Sequence, residues 1–205
     1  METLTSLSFV DLLLRWSHVI FGIIWLGHLY FFNLVNVPFQ GGLDKDLKAK
    51  VNPPLLLRAM WWFRWAAMYT LLFGLALFAF NYFGPPKYFF RPEGGVTGRA
   101  MWILFGMLLG TIMWFNVWYI IWPRQKLILG SLIAGTPHPD TATMAPTVMK
   151  ASRFNLYASG PLLFAMLAAG HLGVMSGPVL LITVVLGLGF WFGMVKRSFK
   201  VKPVV

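Results

Sequence analysis

The sequence predicts an all-α protein, a polytopic membrane bundle of about five transmembrane helices in a single integral membrane domain, residues 1–205. Hydrophobic residues make up 58% of the 205 residues and charged residues only 11%, against about 25% charged residues in a typical soluble domain. A helix needs about 20 mostly apolar residues to cross a bilayer. The segments that meet this length use most of the chain: 8–34, 59–83, 99–122, 153–175 and 178–196.

The first span begins near Phe9 and is much longer than the roughly 7–15 apolar residues of a signal-peptide core. We therefore expect it to remain in the mature protein. The second and third spans carry tryptophans near their ends, among them Trp61, Trp62, Trp118 and Trp122. Tryptophan is enriched at the level of the lipid headgroups, so these residues favour an aromatic belt.

The fourth and fifth spans are separated by a very short turn that contains Ser176, Gly177 and Pro178. Glycine and proline both interrupt helices, and so short a connection leaves no room for a crossing loop. The two spans are predicted to form an antiparallel hairpin.

The distribution of lysine and arginine predicts the orientation, because cytoplasmic loops carry the excess of these residues. One side carries most of them: Lys45, Lys48, Lys50, Arg58, Arg124, Lys126, Lys150, Arg153, Lys196, Arg197, Lys200 and Lys202. The other side carries Arg15, Lys87, Arg91 and Arg99. We expect the N-terminus outside, the C-terminus in the cytoplasm, and a multi-pass location in the cell inner membrane. We therefore interpret the net charge of +11 as a determinant of membrane topology that contacts the lipid bilayer, and not as a nucleic-acid binding surface.

Three histidines lie inside predicted spans, where ionisable residues are rare and are functional-site candidates. His18 and His28 are on the first span, and His171 is near the end of the fourth. His138 falls in a polar loop and is expected to be solvated. With the N-terminus outside, His18 and His171 share the outer leaflet on different helices.

Two histidines in one leaflet match a b-type heme, whose iron takes one axial imidazole from each side. His18 and His171 are the predicted axial ligands, and the small residues Gly22, Gly160 and Ala168 would leave room for a flat ring. Small residues also let two helices pack closely without a cofactor. Buried structural hydrogen bonds, another metal or a proton path therefore remain as alternatives for this pair.

His28 lies about 15 Å along the helix from His18, so the two residues cannot share one metal. It is a candidate for a second site in the inner leaflet, together with Arg64, Asn116 and Asn155. This cluster would suit heme propionates, a second cofactor or a quinone headgroup. A hydrogen-bonded contact between helices explains it equally well. Near the outer end, Asp11 and Arg15 are spaced to form an i,i+4 pair.

Several motifs resemble the membrane domain at the N-terminus of bacterial membrane-bound urate oxidases, also called urate hydroxylases. They are Leu14-Arg15-Trp16-Ser17-His18, Ile24-Trp25-Leu26-Gly27, Trp62-Phe63-Arg64-Trp65, the segment 116–126 (NVWYIIWPRQK), and Ala151-Ser152-Arg153-Phe154-Asn155 leading to His171. The resemblance implies a role for His18 and His171. It also implies a partner, because in that family further helices and a cytochrome c domain follow and accept electrons. This chain contains no cysteine, which excludes covalently bound heme c, iron–sulfur clusters and disulfides.

The leading hypothesis is a cytochrome-b-like electron-transfer subunit with heme b as cofactor, Gly22, Arg64 and Asn155 around it, and a separate cytochrome c or quinone as redox partner. It would be a component of an oxidoreductase. The alternative is a noncatalytic accessory subunit of a larger respiratory or photosynthetic complex, packed against other membrane protein subunits. A third hypothesis, a urate-oxidising component, needs a substrate pocket and an acid–base pair that the sequence does not identify.

Overall fold

The protein is described by a computed structural model over residues 6–83, 89–136 and 138–201, with the backbone alone described at Ser6. Of the described residues, 86% are helical, and no strand forms among them. The helices are α1, residues 6–41; α2, Lys45–Tyr82; α3, residues 98–134; α4, Thr141–His171; and α5, Gly177–Ser198. Two of them contain a π-helical segment, Phe31–Asn36 in α1 and Asn116–Ile121 in α3. Each of the five predicted spans falls on one of these helices. Lys87 and Lys202, used in the charge comparison, lie outside the described residues.

Local chemistry fixes where the helices begin and end. The Asp44 carboxylate accepts a hydrogen bond from the Leu47 N–H at 2.7 Å at the start of α2, and the Thr97 hydroxyl does the same for Ala100 at the start of α3. Both bonds satisfy an N–H that the first turn leaves unpaired. Helix α3 ends at Gly135, whose φ of 67° is left-handed and favours glycine.

Four helices, α1, α2, α3 and α5, are long and apolar enough to cross a membrane. Helix α4 does not meet that criterion, although the sequence predicted a span at 153–175. Its polar residues explain the difference, since Asn155 and Ser159 are both 0% exposed and face neighbouring helices. A helix that lies inside a bundle does not need an apolar surface on every side.

Consecutive helices pack against one another, α1 on α2, α2 on α3, α3 on α4 and α4 on α5, and α1 also contacts α4 and α5. The main core lies between α1, α2 and α3 and includes Leu29, Phe63 and Met113, each at most 1% exposed. Helices α4 and α5 approach closely at one point, where a Cβ added to Gly160 would lie 2.9 Å from the Gly187 Cα. In the predicted antiparallel hairpin, each of the two helices therefore has a glycine at the point of closest approach.

The π-helical segments of α1 and α3 each precede a proline, Pro38 and Pro123. Proline has no N–H and clashes with the carbonyl one turn before it, and a wider turn relieves that clash. Carbonyls just before both segments accept hydrogen bonds from asparagine side chains. Asn33 Nδ2 donates to the Leu29 carbonyl at 2.9 Å, and Asn155 Nδ2 donates to that of Met113 at 3.0 Å.

Helices α1 to α3 are much longer than a bilayer requires. Helix α2 has 38 residues, which corresponds to about 57 Å, against about 30 Å for the hydrocarbon core. The excess lies at the end that carries most of the lysines and arginines.

Candidate functional site

His18 lies on α1 and contacts α2 through its imidazole. Its Nδ1 lies 2.9 Å from the carbonyl oxygen of Thr70. Gly74, one turn further along α2, makes room for the ring, because a Cβ there would lie 3.0 Å from the His18 Cε1. One hydrogen bond thus orients the ring, and the missing side chain of Gly74 provides the space that it occupies.

The hydrogen bond to Thr70 determines which of the two ring nitrogens of His18 carries the proton. A carbonyl oxygen only accepts, so Nδ1 must carry the proton, and in the neutral ring Nε2 then bears a lone pair. Within the described part of the chain, Nε2 of His18 forms no hydrogen bond. A histidine that donates through one nitrogen to a backbone carbonyl and leaves the other free has the arrangement of a metal-ligating histidine.

His18 forms part of the wall of a cavity of about 380 Å³ between α1, α2, α3 and α4. Most of the surface is apolar. Gly106 and Gly110 of α3, and Leu162 and Met166 of α4, lie across the cavity from α1 and α2. The cavity therefore draws on four helices and not on one pair.

The two ends of the cavity differ in polarity. Arg15, Arg99 and Asn81 line one end, and there Arg15 pairs with Asp11 at 2.5 Å, which confirms the predicted i,i+4 pair, and donates to Asn81 at 3.2 Å. Trp25 lines the other end, about 15 Å further along α1. Trp25 is 3% exposed, and its indole N–H has no hydrogen-bond partner among the described residues.

The predicted second ligand, His171, is the last residue of α4 and is exposed. Its Nδ1 bonds to the Leu167 carbonyl one turn back at 2.9 Å. Leu167, Ala169 and Gly170 line the cavity, whereas His171 is not among the lining residues. The last turns of α4 and the His18 segment of α1 thus meet at one cavity, and joint ligation by the two imidazoles stays a prediction.

The other predicted site residues are not among those that line this cavity. His28 Nδ1 bonds to the Ile24 carbonyl of its own helix at 2.7 Å, and Gly22 faces Thr70 at an ordinary contact distance. The Arg64 guanidinium lies over the Trp122 ring, with Cζ 3.9 Å from the ring centroid. Asn155 bonds within the bundle. The inner-leaflet cluster is therefore divided among separate contacts.

Asparagines connect three helices near the π-helical segments. Asn116 Nδ2 donates to Asn155 Oδ1 at 2.8 Å, and Asn33 Nδ2 donates to the Ser152 hydroxyl at 2.9 Å. Together with the bonds to the Leu29 and Met113 carbonyls, these contacts pair the amide nitrogen of each asparagine, whereas the buried Asn33 Oδ1 has no hydrogen-bond partner among the described residues. This part of the cluster matches the alternative of hydrogen-bonded helix contacts.

Sequence reasoning missed Trp25, Thr70, Gly74 and Arg99 as parts of the site. Trp25 follows His18 by two helical turns and so shares its face, which was a usable signal. Thr70 and Gly74 lie on another helix, and their position opposite His18 depends on the register between α1 and α2. No group of three or more His, Cys, Asp or Glu side chains that could hold a metal ion occurs within the described ranges.

A family model described as urate oxidase N-terminal matches residues 90–203, and this match confirms the resemblance seen in the motifs. The matched range contains α3, α4, α5 and His171. His18 and the first two helices precede it. No curated protein and no solved structure matches the chain.

Proposed function

Since the chain belongs to the urate oxidase N-terminal family, we propose that it is a membrane-embedded electron-transfer subunit that holds a b-type heme beside His18. It acts with a separate redox partner, a cytochrome c or a quinone. The single observation that carries the proposal is the Nε2 lone pair of His18 at the wall of a largely apolar cavity.

The residues around the cavity fit such a group. His18 would supply one imidazole to the iron, and Gly74, Gly106 and Gly110 line the cavity beside it without side chains of their own. Arg15 and Arg99 at the polar end suit carboxylates such as the heme propionates, because charge-assisted hydrogen bonds to arginine are strong. When bound, heme supplies a one-electron reduction and oxidation. The chain itself holds the ring, excludes water from it and neutralises its charged edge.

His171 is the proposed second axial ligand. The turn that precedes it lines the same cavity, and the bond from its Nδ1 to Leu167 leaves its Nε2 with the lone pair that ligation needs.

The proposal includes a topology. All five helices cross the cell inner membrane, with α4 shielded by its neighbours, the N-terminus outside and the C-terminus in the cytoplasm. His18 then lies nearer the outer surface, so the redox partner on that side is the closer one.

The test is a dithionite-reduced minus oxidised spectrum of the detergent-purified protein with a pyridine hemochrome assay. We expect a b-type α-band in the wild type, its loss in His18→Ala and its loss or shift in His171→Ala. His138→Ala is the control, because that side chain bonds only within its loop. A folded wild type without heme, or a His18→Ala variant with unchanged heme content, would refute the proposal.

A second candidate is a noncatalytic accessory subunit, and α5 favours it. Only 11% of the apolar window of α5 is buried within the chain, which leaves Leu181, Leu186 and Phe190 at the surface. Stoichiometric co-purification with other membrane subunits, without bound heme, would select this candidate.

A further inference from the structure

Arg64 and Arg153 have no anionic partner among the described residues. The ion pairs among described residues are Arg15–Asp11 and His138–Asp140, and neither includes these two arginines. The Arg64 Nε and the Arg153 Nη1 are buried and have no hydrogen-bond partner in the described part of the chain. Neither guanidinium is neutralised by a carboxylate among the described residues, and an unpaired charge in a membrane-spanning bundle favours an anion bound to the groups that remain accessible.

Arg64 is held in a defined position by two tryptophans. Its Cζ lies 3.9 Å from the Trp122 ring centroid and 5.7 Å from that of Trp118. The Trp118 indole N–H donates to the Arg64 carbonyl at 3.1 Å, and Trp118 packs edge to face on Trp65. Stacking on an aromatic face orients a guanidinium and leaves the N–H groups at its edge available to a planar or tetrahedral anion.

The depth of both arginines identifies the kind of anion. Arg64 precedes Tyr82, the last residue of α2, by about 18 residues, or about 27 Å. Arg153 precedes His171, the last residue of α4, by the same distance. Because the hydrocarbon core is about 30 Å thick, both guanidinium groups lie at the headgroup level when the opposite helix ends are at the other surface. This level carries lipid phosphates, whichever side is cytoplasmic.

We propose that Arg64, on its Trp122 platform, binds the phosphate of an anionic glycerophospholipid, with Arg153 at the same level as a second, separate contact. The inference relies on the membrane crossing of the proposed function but not on heme. It gives Arg64 a ligand different from the heme edge expected from the sequence.

Native mass spectrometry of the detergent-purified full chain tests the proposal. The protein is titrated with dioleoyl phosphatidylglycerol and, separately, with dioleoyl phosphatidylcholine. We expect phosphatidylglycerol to bind more tightly, and Arg64→Gln to weaken it about tenfold, the effect of losing one good charge-assisted contact. Arg58→Gln, an exposed arginine on the same helix, is the matched control and should leave the affinity unchanged.

Trp122→Leu separates position from charge, because it keeps the arginine and removes its platform. We expect it to lose affinity nearly as strongly as Arg64→Gln, with thermal unfolding used to verify that both variants fold. Equal losses in Arg64→Gln and Arg58→Gln would indicate general attraction to a basic surface and overturn the proposal. Displacement of phosphatidylglycerol by millimolar inorganic phosphate would assign the site to a soluble anion and overturn it as well. A missing heme spectrum affects only the proposed function.

Discussion

The asparagine contacts near the π-helical segments and the cavity beside His18 use their polar side chains in different ways. The amide nitrogens of Asn33, Asn116 and Asn155 all donate, to a neighbouring helix or to a backbone carbonyl, and only the Asn33 oxygen among them is buried without a partner in the described part of the chain. At the cavity, His18 and Trp25 each keep a ring nitrogen without a partner among the described residues. Within one bundle, paired amide nitrogens stabilise contacts between helices, whereas unpaired ring nitrogens at a cavity are available to a ligand.

Removal of an amide from the asparagine contacts should have the largest effect on stability. Asn155→Leu leaves Asn116 Nδ2 without its partner at a position that is 0% exposed, and it removes one of the two donors to the Met113 carbonyl, which still accepts from the Asn116 backbone N–H. We expect a loss of about 1–3 kcal/mol in the free energy of unfolding, measured by unfolding in detergent. The adjacent exposed Phe154→Leu should change it by less than about 0.5 kcal/mol. A near-neutral Asn155→Leu would mean that the asparagine contacts do not stabilise the fold.

A side chain that fills the space beside His18 should affect ligand binding more than stability. A Gly74→Val side chain would collide with the His18 ring, since even a Cβ lies 3.0 Å from Cε1. We expect heme content per protein to fall about tenfold, which corresponds to about 1.4 kcal/mol. Gly27→Val is the control, because Gly27 is exposed and a Cβ there meets nothing within 4 Å. Equal heme content in Gly74→Val and Gly27→Val would show that the position of the His18 ring does not determine heme binding.

Two buried tryptophans provide the smallest and sharpest contrast. The Trp102 indole N–H donates to the Val174 carbonyl at 3.3 Å, whereas that of Trp25 has no partner among the described residues. Trp102→Phe should therefore lose about 1 kcal/mol of unfolding free energy, and Trp25→Phe in ligand-free protein should lose less or gain. The same unfolding assay measures both. The opposite order would show that the Trp25 N–H is satisfied in the protein.

The sequence was sufficient to predict the five helices and their order, because each contains a long apolar segment, although α4 does not meet the criterion for a membrane span. An imidazole within a predicted span also drew attention to His18, which the structure places at the wall of the cavity. It did not predict the π-helical segments, which depend on how Pro38 and Pro123 are accommodated inside continuous helices. The hydrogen-bond partner of His18 could not be predicted either. Thr70 faces His18 because of the register of α2 against α1, and no local sequence pattern encodes that register.

The excess length of α2 has a practical consequence for imaging. On the proposed topology, a detergent belt or nanodisc covers about 30 Å of a helix that is about 57 Å long, and α1 and α3 extend in the same direction. A chain of only 205 residues with a strongly apolar composition thus has a rigid helical base outside the belt. Such a base would give electron microscopy a feature outside the belt for the alignment of particles.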